Sequence, residues 1–387
     1  MISMEQKYSL LFSLLKKEIA DKEMPVDLVL ITPAEYEKIY KTSYSHDLSH
    51  IVGKALLTLG ADMPEEIKKA FQKSVSIAMY RYMQLSRELL TLSSALEDGM
   101  IPFIPLKGSI MRNYYDEPWM RTSCDIDVFV SDKDVDKAVK LLTEDYGYTF
   151  KERSPHDVSL YSEAGIHVEL HFDLIEGEKT RSILNNVWKH SKKADGFEYK
   201  YEMSTELFVA YHIAHMAKHF ETGGCGIRPL LDLWIINQKM KYDQKIVNDM
   251  LTECQLCKFY KEATLLSEIW FSNKEHTPLT LKMQDFIINA GSYGTIENRV
   301  AIGNRRRGGK LGYVFRRLFL PYSLLKAYYP RLEKFPILFP YYQFKRWVNF
   351  IFKKNKKLAF SELKYNQSVS NERKKDLHAL ISDLELM

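Results

Sequence analysis

Two aspartates alternate with apolar residues at the end of the segment from Pro105 to Val130. Asp125 and Asp127 are separated by one residue, and the neighbouring positions are apolar: Ile126, Val128 and Val130. In a β-strand, residues two apart project from the same face. The spacing therefore predicts a strand with a buried apolar face and two adjacent carboxylates on the other. Such a strand favours a sheet that helices cover on its apolar side.

A third carboxylate and a glycine turn accompany these aspartates. The segment from His167 to Phe172 repeats the alternation and offers Glu169, and Lys107, Gly108 and Ser109 follow a short apolar run. Mg²⁺ and Mn²⁺ prefer oxygen ligands, which carboxylates on neighbouring strands can supply. Three strand-borne carboxylates beside a glycine turn therefore predict a metal-dependent phosphoryl or nucleotidyl transfer site.

The turn suits the phosphates of a nucleoside triphosphate. Gly108 allows the backbone to approach a phosphate, and Ser109, at a predicted helix start, offers a hydroxyl and exposed N–H groups. Lys107 and Arg121 are candidate counter-charges for the phosphates. Two Mg²⁺ ions about 3.5–4 Å apart can activate an attacking hydroxyl and stabilise the leaving pyrophosphate. We expect the three carboxylates to be both the metal ligands and the catalytic residues.

The order of these elements resembles a known family. The Gly-Ser pair, the Asp-x-Asp pair and the later apolar-Glu-apolar segment look like the signature of the DNA polymerase β-like nucleotidyltransferase superfamily. A longer series between residues 95 and 240 is similar to one bacterial family of uncharacterised nucleotidyltransferases: LKGSIM, DIDVFV, VELHFDL, HMAKH and GIRPLLDL. The resemblance implies the fold and the reaction class but no acceptor. Unlike in polymerases, a lysine precedes the Gly-Ser pair and the gap to the aspartates is longer.

Hydrophobic periodicity and turn signals divide the chain into four regions. We predict an N-terminal helical region at 1–98, the nucleotidyltransferase core at 99–200, a helical domain at 201–300 and a basic, aromatic helical tail at 301–387. Strands are predicted only in the second region. The fold class is therefore α+β, with a small mixed β-sheet flanked by helical regions.

A histidine-rich helix follows the core. His215 and His219 are four residues apart and share a helix face. A zinc protease helix would place Glu directly after the first histidine, whereas this chain has Met216 there. We therefore favour a helix whose polar side faces the cleft over a zinc site, with Lys218 or His219 near the phosphates.

Two other spacings favour structural roles. Arg228 and Asp232 are one helical turn apart, which predicts an ion pair that docks their helix. Cys254 and Cys257 form a CxxC without the second pair that a zinc ribbon needs. We predict no zinc at these cysteines.

The charge of the chain is concentrated in one segment. Residues 303–357 contain 15 Lys and Arg, one acidic residue and 14 aromatic residues, whereas the remainder holds 40 basic and 49 acidic residues. The first interpretation is that the aromatic residues, among them Phe315 and Trp347, cover the helical core. The second is a surface for an acidic partner, either an anionic membrane or nucleic acid.

No targeting or membrane segment is recognisable. Residues 1–20 mix charged and apolar residues, unlike a signal peptide, and no run of about 18 or more apolar residues occurs. The four cysteines favour a reduced cytosol over disulfides. We expect a cytoplasmic protein, with peripheral attachment to a membrane as the alternative.

The leading hypothesis is a nucleotidyltransferase that moves NMP from an NTP to an unknown hydroxyl acceptor. A metal-dependent nucleotide-sugar glycosyltransferase would also use Asp-x-Asp, but it explains neither the Gly-Ser turn nor Glu169. A third hypothesis is a non-catalytic nucleotide-binding protein attached to membrane or nucleic acid.

Overall fold

The protein is described here from a computed structural model. The described residues are 4–26, 28, 31–174, 176–272, 274–292, 294–306, 319–322, 325–326, 329, 331–352 and 371–386. Much of the predicted basic tail, including Phe315, lies outside these residues.

Helices dominate on both sides of the central sheet, as the fold-class prediction required. In chain order they are α1 (Met4–Ile19), α2 (Pro33–Ser45), α3 (Ser49–Thr58), α4 (Glu65–Asp98), α5 (Gly108–Met111), α6 (Val135–Asp145), α7 (Arg181–Leu184), α8 (Thr205–Glu221), α9 (Arg228–Lys239), α10 (Gln244–Glu253), α11 (Cys257–Ser272), α12 (Pro278–Ala290), α13 (Ile296–Arg306), α14 (Arg331–Lys334), α15 (Phe339–Phe352) and α16 (Asn371–Asp383). Short 3-10 turns cover Arg112–Tyr114, Pro118–Met120, Glu178–Thr180, Val187–His190 and Pro336–Leu338.

The central sheet has five strands and is mixed. The strands are β1 (Phe103–Pro105), β2 (Asp125–Val130), β3 (Thr149–Arg153), β4 (Asp157–Tyr161) and β5 (His167–His171), and they lie in the order β1-β2-β5-β4-β3. Among the described strands of this sheet, β2 and β5 pair in parallel and the other neighbours pair antiparallel. A second sheet pairs β6 (Ser191–Lys193) with β7 (Tyr201–Met203).

One face of the central sheet packs against α4 and α6. Val128 and Val130 of β2 lie in one apolar cluster with Leu92 of α4, Leu142 of α6 and Leu170 of β5, and all five are buried. β2 is therefore held on its apolar face by helices, as its alternating pattern predicts. The carboxylates of β2 consequently face the other way, toward α8 and α9.

Local signals explain where the flanking helices begin and end. Ser204 caps α8 because its side chain accepts a hydrogen bond from the N–H of Leu207, and Thr32 with Glu35 forms a capping box at α2. Helix α4 runs to Asp98, and the chain turns at Gly99. Among the described residues, no helix is both long enough and apolar enough to cross a membrane.

The C-terminal tail differs from the first interpretation of its sequence. In the described part, Leu325, Leu332 and Tyr342 form a small cluster of their own, separate from the main helical core. Trp347 packs edge-on against Phe319, with 5.2 Å between ring centroids. The described aromatic residues of this segment therefore pack mainly on each other rather than over the helical core.

Candidate active site

The parallel pairing of β2 and β5 brings the three predicted carboxylates together. Asp127 pairs with Glu169 in the strand register, and Asp125 pairs with His167. Because side chains alternate along both strands, these positions share the sheet face opposite the apolar cluster. The predicted adjacency of Glu169 to the aspartate strand is thus present, and we call Asp125, Asp127 and Glu169 the carboxylate cluster.

Two overlapping groups of side chains in this cluster can converge on a cation. Asp127, Glu169 and His171 form one group, and Asp125, His167 and Glu169 form the other. Within each group, one ligand atom from each residue lies within 4.8 Å of the others. Carboxylate and imidazole donors at this spacing fit a divalent ion, and Glu169 belongs to both groups.

Two basic side chains hold Asp127. Lys107 Nζ lies 3.0 Å from Asp127 Oδ1, and His171 Nε2 lies 2.7 Å from the same oxygen. Although burial opposes ionisation, these bases lower the pKa of Asp127 far below its ordinary value. Burial also opposes the charge on His171, but Asp127 and Glu169 raise its pKa to about 9. His171 therefore has to lose this proton before its ring can act as a metal ligand.

The pKa of Asp125 is shifted in the opposite direction from that of Asp127. Burial raises its pKa, and the nearby charges of Asp127 and Glu169 raise it further. A carboxylate whose charge is disfavoured by its neighbours gains most from a bound cation. The donor atoms and the charge balance of the cluster thus both fit a divalent metal ion.

The backbone at Lys107 is strained. Its φ is +44°, a left-handed value that a residue with a side chain rarely adopts. This conformation leads from β1 into α5 and places the lysine amine against Asp127. Burial favours the neutral amine, but Tyr211 and Asp127 outweigh it and raise the pKa of Lys107. Strain of this kind concentrates at functional sites.

Gly108 and Ser109 lie on different sides of the turn. Gly108 lines the cavity in front of the aspartates, and a Cβ added there would lie 3.2 Å from Ser123 Cβ. Ser109 instead lines a second cavity, which is also bounded by Lys192 and Lys200. The N–H groups predicted to be exposed at this helix start are bonded instead: those of Ser109 and Ile110 donate to the carbonyls of Leu106 and Lys107, each at 3.1 Å.

The ion pairs beneath the cavity differ from the predicted one. Asp232 accepts hydrogen bonds from Arg121 Nε at 2.8 Å and from the Tyr115 hydroxyl at 2.8 Å. Arg228 pairs with Asp47 at 2.6 Å, so the predicted Arg228–Asp232 pair is replaced by two pairs with distant residues. The Arg121 side chain lines the cavity but is only 11 % exposed. Its predicted role as a phosphate counter-charge remains a prediction.

Helix α8 forms the opposite side of the cavity, as the sequence predicted for its polar face. His215 Nδ1 lies 2.9 Å from Glu176 Oε1, and the Nε2 atoms of His215 and His219 are 3.1 Å apart. Lys218 lies 3.2 Å from Glu176 but does not line the cavity.

Burial raises the pKa of Glu176, but His215 and Lys218 outweigh this effect and lower the pKa of Glu176 to about 2. Burial and His215 lower the pKa of His219 to about 4.

The cavity between these elements has a volume of about 260 Å³. Asp125 and Asp127 bound it on one side. The other side, which we call the helix wall, consists of His212, His215, His219, Arg228 and Asp232.

Sequence reasoning missed several of the residues around this cavity. His167 and His171 lie two positions before and after Glu169, so the same alternation that selected Glu169 could have selected them. Tyr211 and Glu176 gave no comparable signal, because their contacts join segments distant in sequence.

The comparisons with known proteins identify a family for this chain. A family model described as "Uncharacterised nucleotidyltransferase" matches residues 32–272, more than half of the chain. The match runs from α2 to α11 and includes the central sheet and the carboxylate cluster. No curated protein matches the chain significantly. No solved structure matches it significantly either.

Proposed function

The chain belongs to this family of uncharacterised nucleotidyltransferases, and we propose that it transfers NMP from an NTP to a hydroxyl acceptor. We further propose that its core is of the DNA polymerase β-like kind. The family implies a nucleoside triphosphate as substrate, and the acceptor is the part that this proposal leaves to experiment.

One observation carries the proposal: Glu169 pairs with Asp127 across two parallel strands, on the side of β2 away from the glycine turn. The turn follows β1 on one side of Asp127, and Glu169 lies on β5 on the other. This arrangement supports a triphosphate on the β1 side of Asp127 and an acceptor hydroxyl on the β5 side.

The proposed roles follow from this division. Asp125, Asp127 and Glu169 hold Mg²⁺ or Mn²⁺, which when bound would stabilise negative charge on the reacting phosphate. Gly108 leaves room for the triphosphate, and Lys107 supplies positive charge to it. The preformed charges at this site reduce the reorganisation that the transfer requires.

The structure favours this proposal over the two alternatives. A nucleotide-sugar glycosyltransferase needs the aspartates, but it gives no role to Glu169 in the same ligand groups. A non-catalytic nucleotide-binding protein would not need Glu169, which lies on the side of Asp127 away from the proposed phosphate site. Both alternatives predict no labelled product from an NTP, so one experiment separates them from transfer.

The purified protein would be incubated with each α-labelled NTP, Mg²⁺ and cell extract. We expect a labelled acceptor that requires one or more of the NTPs, and no label with Asp127→Asn. Asp132→Asn is the matched control, because Asp132 is an exposed acid outside the cluster. A parallel incubation contains nucleotide sugars labelled in the sugar. Label from a nucleotide sugar but from no NTP would contradict the proposal and support the glycosyltransferase.

For the tail, we propose contact with an anionic membrane surface. Ile337, Tyr341 and Phe344 follow a spacing of four and three residues and are 87 %, 57 % and 61 % exposed. Lys334 and Lys345 flank them in a segment with almost no acids. Exposed apolar side chains beside basic ones are typical of interfacial helices.

Flotation with anionic liposomes tests this contact. We expect binding that weakens as salt rises and is lost when Ile337, Tyr341 and Phe344 are changed to serine. Neutral liposomes serve as the control. Binding to RNA but not to liposomes would assign the segment to nucleic acid, and binding to neither would contradict an acidic partner.

A further inference from the structure

The histidines of helix α8 are not used by the proposed transfer, although all three line its cavity. His215 and His219 lie one helical turn apart, and their Nε2 atoms are 3.1 Å from each other. Both line the cavity, and both side chains are partly accessible. Two imidazole nitrogens thus meet at one point of the helix wall.

A buried carboxylate fixes the tautomer of His215. Its Nδ1 lies 2.9 Å from Glu176 Oε1, and the Glu176 side chain is only 6 % exposed. An ionised carboxylate can only accept, so Nδ1 carries the hydrogen, and in the neutral ring the Nε2 lone pair accepts a hydrogen bond from His219 Nε2–H. Histidines that bind metal almost always donate their other ring N–H in this way.

The distance between the two nitrogens also suits one ion. Metal–imidazole bonds of about 2.0–2.1 Å place two nitrogens about 2.9 Å apart at a right angle and about 3.3 Å apart at the tetrahedral angle. The observed 3.1 Å lies between these values. An ion could replace the hydrogen bond between the rings, and the proton of neutral His219 would then occupy its Nδ1.

We propose that His215 and His219 bind a transition-metal ion through their Nε2 atoms, at a site separate from the carboxylate cluster. Glu176 is a positioning residue that orients His215. Imidazole ligands favour Zn²⁺, Ni²⁺ and Cu²⁺, whereas Mg²⁺ favours oxygen ligands. This site does not need the glutamate that follows the first histidine in zinc proteases. Its carboxylate is Glu176, which comes from another segment and holds the ligand His215 by a hydrogen bond.

This site can be tested without any nucleotide by titrating the full-length protein with Zn²⁺ in a calorimeter. The background is the double variant Asp127→Asn, Glu169→Gln, which removes a residue from both ligand groups of the carboxylate cluster. We expect one equivalent of Zn²⁺ to bind this variant, with no competition from excess Mg²⁺. Adding His219→Ala should abolish the binding.

Two further variants sharpen the result. Glu176→Gln should weaken Zn²⁺ binding by about 10–100-fold, the usual effect of losing such a partner. His190→Ala changes an exposed histidine outside the cavity and should leave the affinity unchanged. If circular dichroism shows that His219→Ala misfolds, His219→Gln takes its place.

Three outcomes would overturn the site: no Zn²⁺ binding in the background variant, binding that survives the loss of His219, or an affinity that Glu176→Gln leaves unaltered. Each outcome is independent of the proposed function, because the assay contains no NTP and the background lacks two of the three catalytic carboxylates. Conversely, a failure of NMP transfer would leave the Zn²⁺ measurement intact.

Discussion

In the carboxylate cluster Asp125 lies among like charges, whereas Asp232 and Asp47 at the helix wall opposite are each paired with an arginine. Asp125 lies near two other carboxylates that raise its pKa. Across the cavity, Asp232 is bonded to Arg121 and Arg228 to Asp47. Crowded like charges favour a cation from outside, and paired charges are already satisfied. Substitutions in the cluster should therefore reduce activity, and substitutions of the paired acids should reduce stability.

The largest expected effect on turnover is that of Asp127→Asn. Asp127 lies at the centre of the cluster, and its loss removes several kcal/mol of metal-borne charge stabilisation. Since about 1.4 kcal/mol corresponds to a tenfold change in rate, we expect turnover to fall by at least about 100-fold while the fold survives. Steady-state kinetics with Mg²⁺, paired with circular dichroism, measure both. Unaltered turnover in a folded variant would contradict the assignment of this residue.

The second prediction tests the helix wall. Asp232→Asn leaves the buried Arg121 guanidinium without its counter-charge, and breaking a buried pair costs about 3–5 kcal/mol. Urea denaturation at neutral pH measures this loss of unfolding free energy. Asp249→Asn breaks an exposed pair with Lys245 and should change stability little. Equal effects of the two variants would show that the buried network does not stabilise the fold.

The same contrast explains what the sequence could predict. The strand that carries Asp125 and Asp127 was predicted, because an alternating pattern is local information. The neighbouring strand of Glu169 followed from the same alternation. The fold class was also predictable, since helical and strand periods separate cleanly along the chain.

Contacts on the helix wall could not be predicted in this way. Arg228 has an acid four residues away, yet it pairs with Asp47, 181 residues distant. His215 likewise finds Glu176 from another segment. Such pairs depend on how helices pack, which helical spacing does not specify. The strands β6 and β7 were missed as well, because three-residue strands are too short to show an alternating pattern.

The third prediction divides the carboxylate cluster itself. Glu169 lies on the side of Asp127 away from the glycine turn, so Glu169→Ala should spare NTP binding more than chemistry. We expect kcat to fall about 10–100-fold with an NTP affinity changed only slightly, the pattern of an interaction made mainly in the transition state. Single-turnover kinetics separate the two quantities. If NTP affinity falls more than kcat, Glu169 contacts the phosphates. The proposed division into a triphosphate side and an acceptor side would then be wrong.

The smallest effect is expected at the glycine turn, where we propose that the triphosphate binds. A side chain at position 108 would crowd Ser123 and fill space at the cavity in front of the aspartates. We expect Gly108→Val to weaken NTP affinity about tenfold, or about 1.4 kcal/mol, in a titration with a fluorescent NTP analogue. Ser109→Ala is the matched control, because Ser109 lines the second cavity and its loss should leave the affinity unchanged. An intact affinity in Gly108→Val would mean that the turn is only structural. A loss of NTP affinity in Ser109→Ala would instead show that the triphosphate reaches the second cavity. The carboxylate cluster would then form one continuous site with Lys192 and Lys200, which bound that cavity.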